Sequence, residues 1–435
     1  MRQATEVLFV CVFAAGLLGP AAGAAITLEG DLATSGVPIG LTDDVILGAP
    51  PEITIRTTAG GSSGAAIYIA GTTNDDVAMT TAANFDAGSV GDVTLQDVGN
   101  LNPPQSVTIV SAHRVSLQNL VAGAITVNAG GGIVLNGNLQ TMAGGITLQG
   151  NVTLGAPAIV RLDTVFVVFN QGFPITITGT VDDDVAGTSG LVINAGMNSN
   201  VNLQGAVGGA VPIASLTVLS ANQANLPAVT TAGGAVSVTS KAATLNGPMA
   251  TGGGNVTLNA GTVNLNAPIN TGGGILTGAA STVNLAGSGS LQNAVDVAAP
   301  GATLHIAGAT YNESVTVATA LTMDFLDTTT IGQALAIQNN VGLSGLAKYL
   351  AVDALAISGE VKLDVGSLPV YVDGDVETTL DDWIGDGRLL SSVWGPGIDA
   401  TYNATFGRTE VTPEPATLAL LALGGLGALL RRRRK

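Results

Sequence analysis

Short runs of alternating apolar and polar residues, closed by glycine clusters, make up most of this chain of 435 residues. One example is the run VTLN at positions 256–259, which follows the cluster Gly252–Gly254. Alternation over four to six residues predicts a half-buried β-strand, and glycine clusters predict the corners between strands. The pattern therefore predicts an all-β fold built from short strands.

One strand-and-corner unit recurs at a fixed spacing. The segment LNGPMATGGG begins at Leu245, and LNAPINTGGG begins twenty residues later, at Leu265. Such a unit cannot bury its apolar side alone, so successive copies have to stack on one another. The sequence therefore predicts a parallel β-helix, in which each coil of about 20 residues pairs with the coils before and after it.

A longer duplication overlies the short repeat. Similar segments begin at Ile53 and Ile175, at Asp92 and Asn200, and at Leu135 and Leu245. These pairs predict two copies of one module, at about residues 53–157 and 175–268. The same alignment places Asp182–Asp184 opposite Ala59–Gly61, which carries no acidic residue.

A four-residue motif, apolar–polar–leucine–amide, recurs along both modules. Its first residues are Val93, Val115, Ile133, Ile146, Val201, Val256 and Val263. Asn and Gln at one place in successive coils can form hydrogen-bonded ladders. Alternatively, these amides only occupy outward polar positions before a turn. The sequence leaves both interpretations open.

The N-terminus has the pattern of a secretory signal peptide. Arg2 precedes the apolar run Val7–Leu18, and the small residues Ala22–Ala24 mark a cleavage site. We therefore expect residues 1–24 to direct export. The only cysteine, Cys11, lies in this segment, so we expect no disulfide, thiol nucleophile or cysteine-based metal site in the mature chain.

The C-terminus carries three ordered features: the box Pro413-Glu414-Pro415, the apolar run Ala416–Leu430 and a basic cluster. The cluster consists of Arg431, Arg432, Arg433, Arg434 and Lys435. The run predicts a short transmembrane helix, and the cluster would hold the C-terminus in the cytoplasm. In this order and spacing, residues 411–435 resemble the PEP-CTERM sorting signal of exopolysaccharide-producing Gram-negative bacteria.

That resemblance implies partners and a route. An exosortase would cut near the Pro-Glu-Pro box, after the secretion machinery has exported the chain. The apolar helix would anchor the protein transiently in the inner membrane before it reaches the cell surface or the extracellular matrix. The signal specifies an address and leaves the activity open.

Two segments of the body resemble known repeat families. The segment GAVGGAVPIASLTV, from Gly205, is similar to repeats of filamentous-haemagglutinin and autotransporter passenger proteins. Ser290–Val317 resembles the opening coils of pectin-lyase-type proteins, with an apolar strand, a Pro-Gly turn and a segment around Tyr311 and Glu313. Both resemblances imply a right-handed parallel β-helix for the body, residues 25–340.

The composition changes after Asn340. Residues 341–410 contain both tryptophans, Trp383 and Trp394, and strand-like runs such as VYVD at 370–373. The open end of a solenoid exposes unpaired strands and needs a cover. We therefore expect a small β-rich cap here, next to the sorting signal.

Charge narrows the range of partners. The net charge of −17 disfavours nucleic acid and favours cations. Asp182, Asp183 and Asp184 form a candidate cation site, with calcium as the ion, because hard cations prefer oxygen ligands. The sequence contains no EF-hand loop and no glycine-rich calcium repeat. No cofactor other than calcium is expected. His113 and His305 have no visible partner, and no transition-metal site is expected.

Pectin-lyase-type folds often carry polysaccharide-cleaving enzymes, so two chemistries need a test. A lyase needs a base and positive groups, yet Lys241 is the only basic residue between Arg161 and Lys348. A glycoside hydrolase needs two carboxyl groups. The candidates are Asp182–Asp184, Asp296 and Glu313. Because the body has few aromatic residues to stack on a sugar, we expect no catalytic residue.

The sequence thus predicts an exported, non-enzymatic protein of the cell surface or extracellular matrix, structural or adhesin-like. Its expected partners are the exosortase, exopolysaccharide and other copies of the same chain, and nucleic acid is not among them. The alternative is a glycoside hydrolase on the same scaffold.

Overall fold

A computed structural model describes residues 25–155, 157–165, 172–394 and 398–413. The chain is a parallel β-solenoid of about 17 turns, and only 5% of the described residues are helical. The predicted fold class is confirmed. The predicted signal peptide, the predicted sorting helix and the basic cluster lie outside the described residues. No helix within the described part has the length and apolar character needed to cross a membrane.

Two compact units divide the chain. Unit 1 comprises Met1–Lys241, Ala250–Val256 and Thr271–Gly274. Unit 2 comprises Ala242–Met249, Thr257–Asn270 and Ile275–Lys435. Three strands contribute residues to both units. They are Val236–Leu245, Met249–Ala250 and Val256–Leu265.

Unit 1 contains three parallel sheets, and the chain visits them in turn. Sheet I contains Leu32–Ala33, Glu52–Arg56, Ala82–Asp86, Ser106–Ala112, Ile125–Ala129, Ile146–Gln149, Ile175–Ile177 and Val201–Leu203. Sheet II contains Ile39–Leu41, Ile67–Ile69, Val93–Leu95, Val115–Leu117, Ile133–Leu135, Val152–Leu154 and Val181–Asp183. Sheet III contains Ile26–Leu28, Val45–Leu47, Thr73–Asp75, Leu120–Ala122, Leu139–Thr141, Ile159–Asp163 and Gly190–Gly196. Leu216–Leu226 pairs first with sheet III and then with sheet I, Val229–Thr230 follows it, and Ala59–Gly61 is a 3₁₀ turn.

The alternating pattern places a stack of buried side chains on the inner face of each sheet. In sheet II, the residue pairs Val93–Val115 and Leu95–Leu117 are in register, and the same register continues through Leu135. These inward residues are at most 1% exposed. Burying each apolar side chain contributes roughly 1.5–3 kcal/mol. Because a coil contacts only its neighbours, each coil stabilises the next one.

The corner that ends each TGGG segment is held by its threonine. The Thr251 hydroxyl donates to the Gly254 carbonyl at 2.5 Å and approaches the Thr271 carbonyl of the next coil at 3.1 Å. Thr271 bonds to Gly274 in the same way, at 2.6 Å. The repeat that stands out in the sequence is therefore a corner in which one hydroxyl holds the turn and reaches the next coil.

Some outward amides bond to one another from coil to coil, and others bond to hydroxyl groups, as Asn136 does with Ser116. Asn266 donates to Asn246 at 3.1 Å, and Asn284 donates to Asn264 at 2.7 Å, each across twenty residues. Asn246 and Asn266 are also exposed. Both interpretations of the recurring amides therefore hold at these positions, since the side chains point outward and bond from coil to coil.

Unit 2 also pairs its strands in parallel, but its terminal sheet is mixed, because the last strand, Arg408–Pro413, pairs antiparallel with both of its neighbours. Its further strands are Ile269–Asn270, Leu276–Gly278, Ala280–Leu285, Ala298–Ile306, Thr310–Tyr311, Val315–Val317, Leu321–Phe325, Thr329–Ile337, Val341–Gly345, Leu350–Ile357, Leu363–Asp364, Val370–Asp373, Leu389–Leu390, Ile398–Asn403 and Arg408–Pro413. Its helices are Leu291–Val297 and Glu377–Gly385. Parallel pairing continues past residue 340, as far as Leu389–Leu390. Strand pairing therefore does not change at residue 340. The domain boundary expected there stays a prediction.

Replacing Gly254 by alanine should destabilise unit 1. A Cβ at Gly254 would lie 2.1 Å from the Gly234 carbonyl oxygen of the neighbouring coil, so the backbone has to shift. We expect Gly254→Ala to lower the free energy of unfolding by about 3 kcal/mol. Gly40→Ala is the matched control, because Gly40 lies in a strand with open space around it. Urea unfolding of both variants measures the difference, and equal stabilities would contradict the account of the corner.

Candidate functional site

The last described strand, Arg408–Pro413, leads directly into the C-terminal segment. We call it the closing strand. It lies between Val370–Asp373 and Ile398–Asn403 and pairs antiparallel with both. Val411 at its centre is fully buried. The closing strand is therefore an interior strand of this terminal sheet, with backbone partners on both sides.

Arg408 packs across the outer face of the terminal sheet. Its guanidinium lies 3.9 Å from the ring centre of Tyr371 and 5.1 Å from that of Phe406. It also donates to the Glu410 carboxylate at 3.3 Å. The ring centres of Tyr349 and Tyr371 are 4.9 Å apart. These cation–π and ring contacts attach the closing strand to Val370–Asp373 and to the turn that precedes the closing strand.

Charges around Tyr371 reflect the same packing. Burial raises the pKa of the Tyr371 hydroxyl, and the Glu410 carboxylate adds to that shift while the Arg408 guanidinium opposes it. Tyr371 is thus partly desolvated and lies near one cation, Arg408, and one anion, Glu410.

Thr409 and Glu377 fix the other side of the sheet. The Thr409 hydroxyl donates to the Gly374 carbonyl at 2.9 Å and accepts from the Val376 amide at 3.0 Å. The Glu377 carboxylate, in the first turn of helix Glu377–Gly385, accepts from the Tyr402 amide at 2.7 Å. Helix and strands therefore form one hydrogen-bonded assembly.

Residues 411–435 match the model of the PEP-CTERM protein-sorting motif. The chain carries this sorting motif. The motif implies export, a transient state anchored in the membrane at the C-terminus, and processing by an exosortase. No curated protein and no solved structure matches the chain.

The motif overlaps the fold at its first three residues. Val411, Thr412 and Pro413 belong to the closing strand, and Pro413 is in register with Ile398. Glu414, Pro415 and the basic cluster lie outside the described residues. Sequence reasoning placed a boundary between residues 410 and 411, and it missed that a folded strand crosses this boundary.

The candidate cation ligands Asp182, Asp183 and Asp184 each accept hydrogen bonds from backbone amides. Asp182 accepts from the Ala210 amide at 2.8 Å. Asp183, which is 2% exposed, accepts from the amides of Thr188 and Ser189, both at 2.8 Å. Asp184 accepts from the Val185 amide at 2.7 Å. The structure therefore brings the three residues together in one loop, with their oxygens already bonded to backbone amides.

The same loop occurs in the first module, at Asn74–Asp76. Asp75 accepts from the amides of Thr80 and Thr81, both at 2.8 Å, as Asp183 does with its own loop. Hence the structural equivalent of Asp182–Asp184 is Asn74–Asp76, and the alignment with Ala59–Gly61 was wrong. The similar segments NDDVAMTT and DDDVAGTS carried this information in the sequence.

The two copies of this loop begin on different sheets. Thr73–Asp75 lies in sheet III, whereas Val181–Asp183 lies in sheet II. The duplicated segment therefore spans a non-integral number of coils. Its local hydrogen bonds are preserved because each depends only on the loop itself and the adjacent coil.

No group of three or more histidine, cysteine or acidic side chains in the described part of the chain could hold a metal ion. The carboxylates of Asp182–Asp184 bond to backbone amides instead. Calcium binding at this loop stays a prediction.

Both histidines have an acidic partner one coil away. His113 lies 3.1 Å from Asp92, and His305 lies 2.7 Å from Asp324. The sequence-based statement that neither histidine has a partner was therefore wrong. The partners are 21 and 19 residues distant along the chain, about one coil in each case.

The hydrolase candidates Asp296 and Glu313 meet at helix Leu291–Val297. The Glu313 carboxylate accepts from the Leu291 amide at 2.6 Å and from the Ser290 hydroxyl at 2.7 Å, so it covers the start of this helix. Partial burial raises the pKa of Asp296; Gln292 donates a hydrogen bond that opposes the shift, and the Glu313 charge adds to it. Burial and the same carboxylate raise the pKa of the nearby Tyr311 to about 12.

Removing the Asp183 carboxylate should destabilise the loop. Two amides lose their acceptor, one of them on the buried residue Ser189, and hydrogen bonds to charged groups contribute more than neutral ones. We expect Asp183→Ala to lower the free energy of unfolding by about 3 kcal/mol. Asp184→Ala, at the exposed neighbouring position, should cost less than about 1 kcal/mol. Chemical denaturation tests the pair, and an equal loss in both variants would contradict the assigned roles.

Proposed function

We propose that this protein is an exported structural or adhesin-like protein of the cell surface or extracellular matrix. The observation that carries the proposal is the sorting motif, whose first residues continue the last strand of a repetitive solenoid. An exported solenoid of stacked coils suits a protein that displays binding surfaces outside the cell or holds the matrix together.

The outer polar residues support a structural role, since many of them bond coil to coil. In unit 2, one column runs through Thr244, Asn264 and Asn284, with contacts of 2.9 and 2.7 Å. The register continues through His305 and Asp324. Side chains that bond to one another along a column are held in place, which favours a rigid surface over a reactive one.

The proposed partners follow from address and charge. The exosortase would act on the C-terminal motif, and the secretion machinery would act on the predicted signal peptide at residues 1–24. Exopolysaccharide and further copies of this chain are the proposed matrix partners. Nucleic acid is not proposed as a partner, because the acidic chain repels it. Calcium at Asp182–Asp184 is the only ion proposed, and no cofactor is proposed.

One observation favours the alternative, a glycoside hydrolase. Asp296 has a raised pKa beside a second carboxyl group, Glu313, which is a feature of acid–base pairs. However, Glu313 is bonded to Ser290 and Leu291 at the start of a helix, and this arrangement serves the fold. We therefore favour the structural function.

Incubation with polysaccharides separates the two functions. We expect the processed protein to bind acidic or neutral exopolysaccharide, or itself, without producing new reducing ends. Co-sedimentation and a reducing-end assay measure these outcomes. Release of reducing ends that disappears in Asp296→Asn would overturn the structural proposal in favour of the hydrolase.

The sorting motif itself is tested by Glu414→Ala. If the box is the recognition element, we expect this variant to remain as an unprocessed precursor in the membrane fraction, at least tenfold more abundant than for the wild type. Glu360→Ala, at an exposed glutamate between the body and the motif, is the control and should be processed normally. Fractionation with immunoblotting provides the measurement. Normal processing of Glu414→Ala would contradict the role of the box.

A further inference from the structure

We propose that the closing strand, Arg408–Pro413, is a latch that has to leave the terminal sheet before the exosortase can process the chain. The inference rests on the proposed function, because it assumes that the C-terminal motif is processed. It adds a mechanism: folding of the terminal sheet competes with sorting.

Pairing gives the first reason. The closing strand is in register with Ile398–Asn403 over its whole length and with Val370–Asp373 over four residues. Enzymes that recognise extended chains commonly pair with the backbone of the substrate as an added strand. A strand with neighbours on both sides has no free edge to offer.

Distance gives the second reason. Only Glu414 and Pro415 separate Pro413 from the apolar run that begins at Ala416. From the Cα atom of Pro413 to the Cα atom of Ala416 there are three steps of chain, which span at most about 11 Å when fully extended. With the run in the membrane and the closing strand paired, the folded terminal sheet would therefore lie immediately beside the box. Release of the closing strand adds six residues of free chain, which lets an enzyme reach the box.

The side-chain contacts give the third reason, because they act as a clasp on this strand. Arg408 contacts Tyr371 and Phe406 and pairs with Glu410. Val411 is fully buried. Opening the latch separates Arg408 from Tyr371 and exposes Val411, whereas the pair with Glu410 lies within the closing strand and can persist. The strength of this clasp on Tyr371 and Val411 therefore sets the fraction of open chains and with it the rate of processing.

A disulfide lock tests the latch on the full-length chain in its exporting host. Thr401 and Glu410 are in register on adjacent antiparallel strands, at a separation that suits a disulfide. The only natural cysteine, Cys11, lies in the signal peptide, so Thr401→Cys/Glu410→Cys introduces the only pair in the exported body. We expect the oxidised double variant to be processed at least about tenfold more slowly than either single variant. Added reductant should restore the rate.

A matched pair of arginine variants tests the opposite direction. Arg408→Ala removes the clasp and should speed processing by about fivefold. Arg388→Ala removes an arginine that pairs with Asp386 and stacks on Trp383, away from the closing strand, and should leave the rate unchanged.

Each outcome is decisive. Processing of the oxidised lock at the rate of its reduced form would overturn the latch while leaving the sorting function intact. If Arg408→Ala and Arg388→Ala change the rate equally, the clasp has no specific role and the latch is overturned. Failure of the wild-type chain to be processed at all would overturn the proposed function, and the latch with it.

Discussion

In-register stacking of neighbouring coils is the constraint on which the rest of this structure depends. A coil of about twenty residues has too little apolar surface to fold alone, so its stability comes from the coils on either side. Valine and leucine at alternate positions meet identical or similar residues in the next coil, as at Val93–Val115 and Leu95–Leu117. Corners must then be narrow enough to let the coils approach, which is why Gly254 lies against the backbone of Gly234.

The same constraint determines what the outside of the coils does. Adjacent coils present the same polar position side by side, and asparagine and threonine side chains bond across the gap. Acidic residues such as Asp183 accept from backbone amides of their own turns. The polar surface thus contributes mainly to cohesion of the solenoid. The terminal sheet differs, because aromatic residues and Arg408 hold a strand that leads into the sorting motif.

Local patterns in the sequence predicted the stacked coils and the sorting motif, because both are written in contiguous residues. Long-range partners could not be predicted in the same way. Coil length varies, so that one hydrogen bond between coils spans 18 residues at Asn128 and another spans 29 at Thr180. A fixed spacing therefore missed the aspartate partners of His113 and His305. It also misaligned Asp182–Asp184. The closing strand also pairs antiparallel with Val370–Asp373, which is remote in the sequence, and periodicity does not encode this pairing.

Amide hydrogen exchange on the intact processed protein tests the stacked-coil account most directly. In-register stacking predicts that strands such as Val93–Leu95 and Val115–Leu117 exchange together and slowly, because each amide is paired with a neighbouring coil. In the corner Gly252–Gly254, the Gly253 amide donates to Thr271 at 2.7 Å and the Gly254 amide to Thr251 at 3.3 Å, so these two should also be protected. The exposed Gly252 amide should exchange far faster. Strand amides that exchange as quickly as the Gly252 amide would contradict the account.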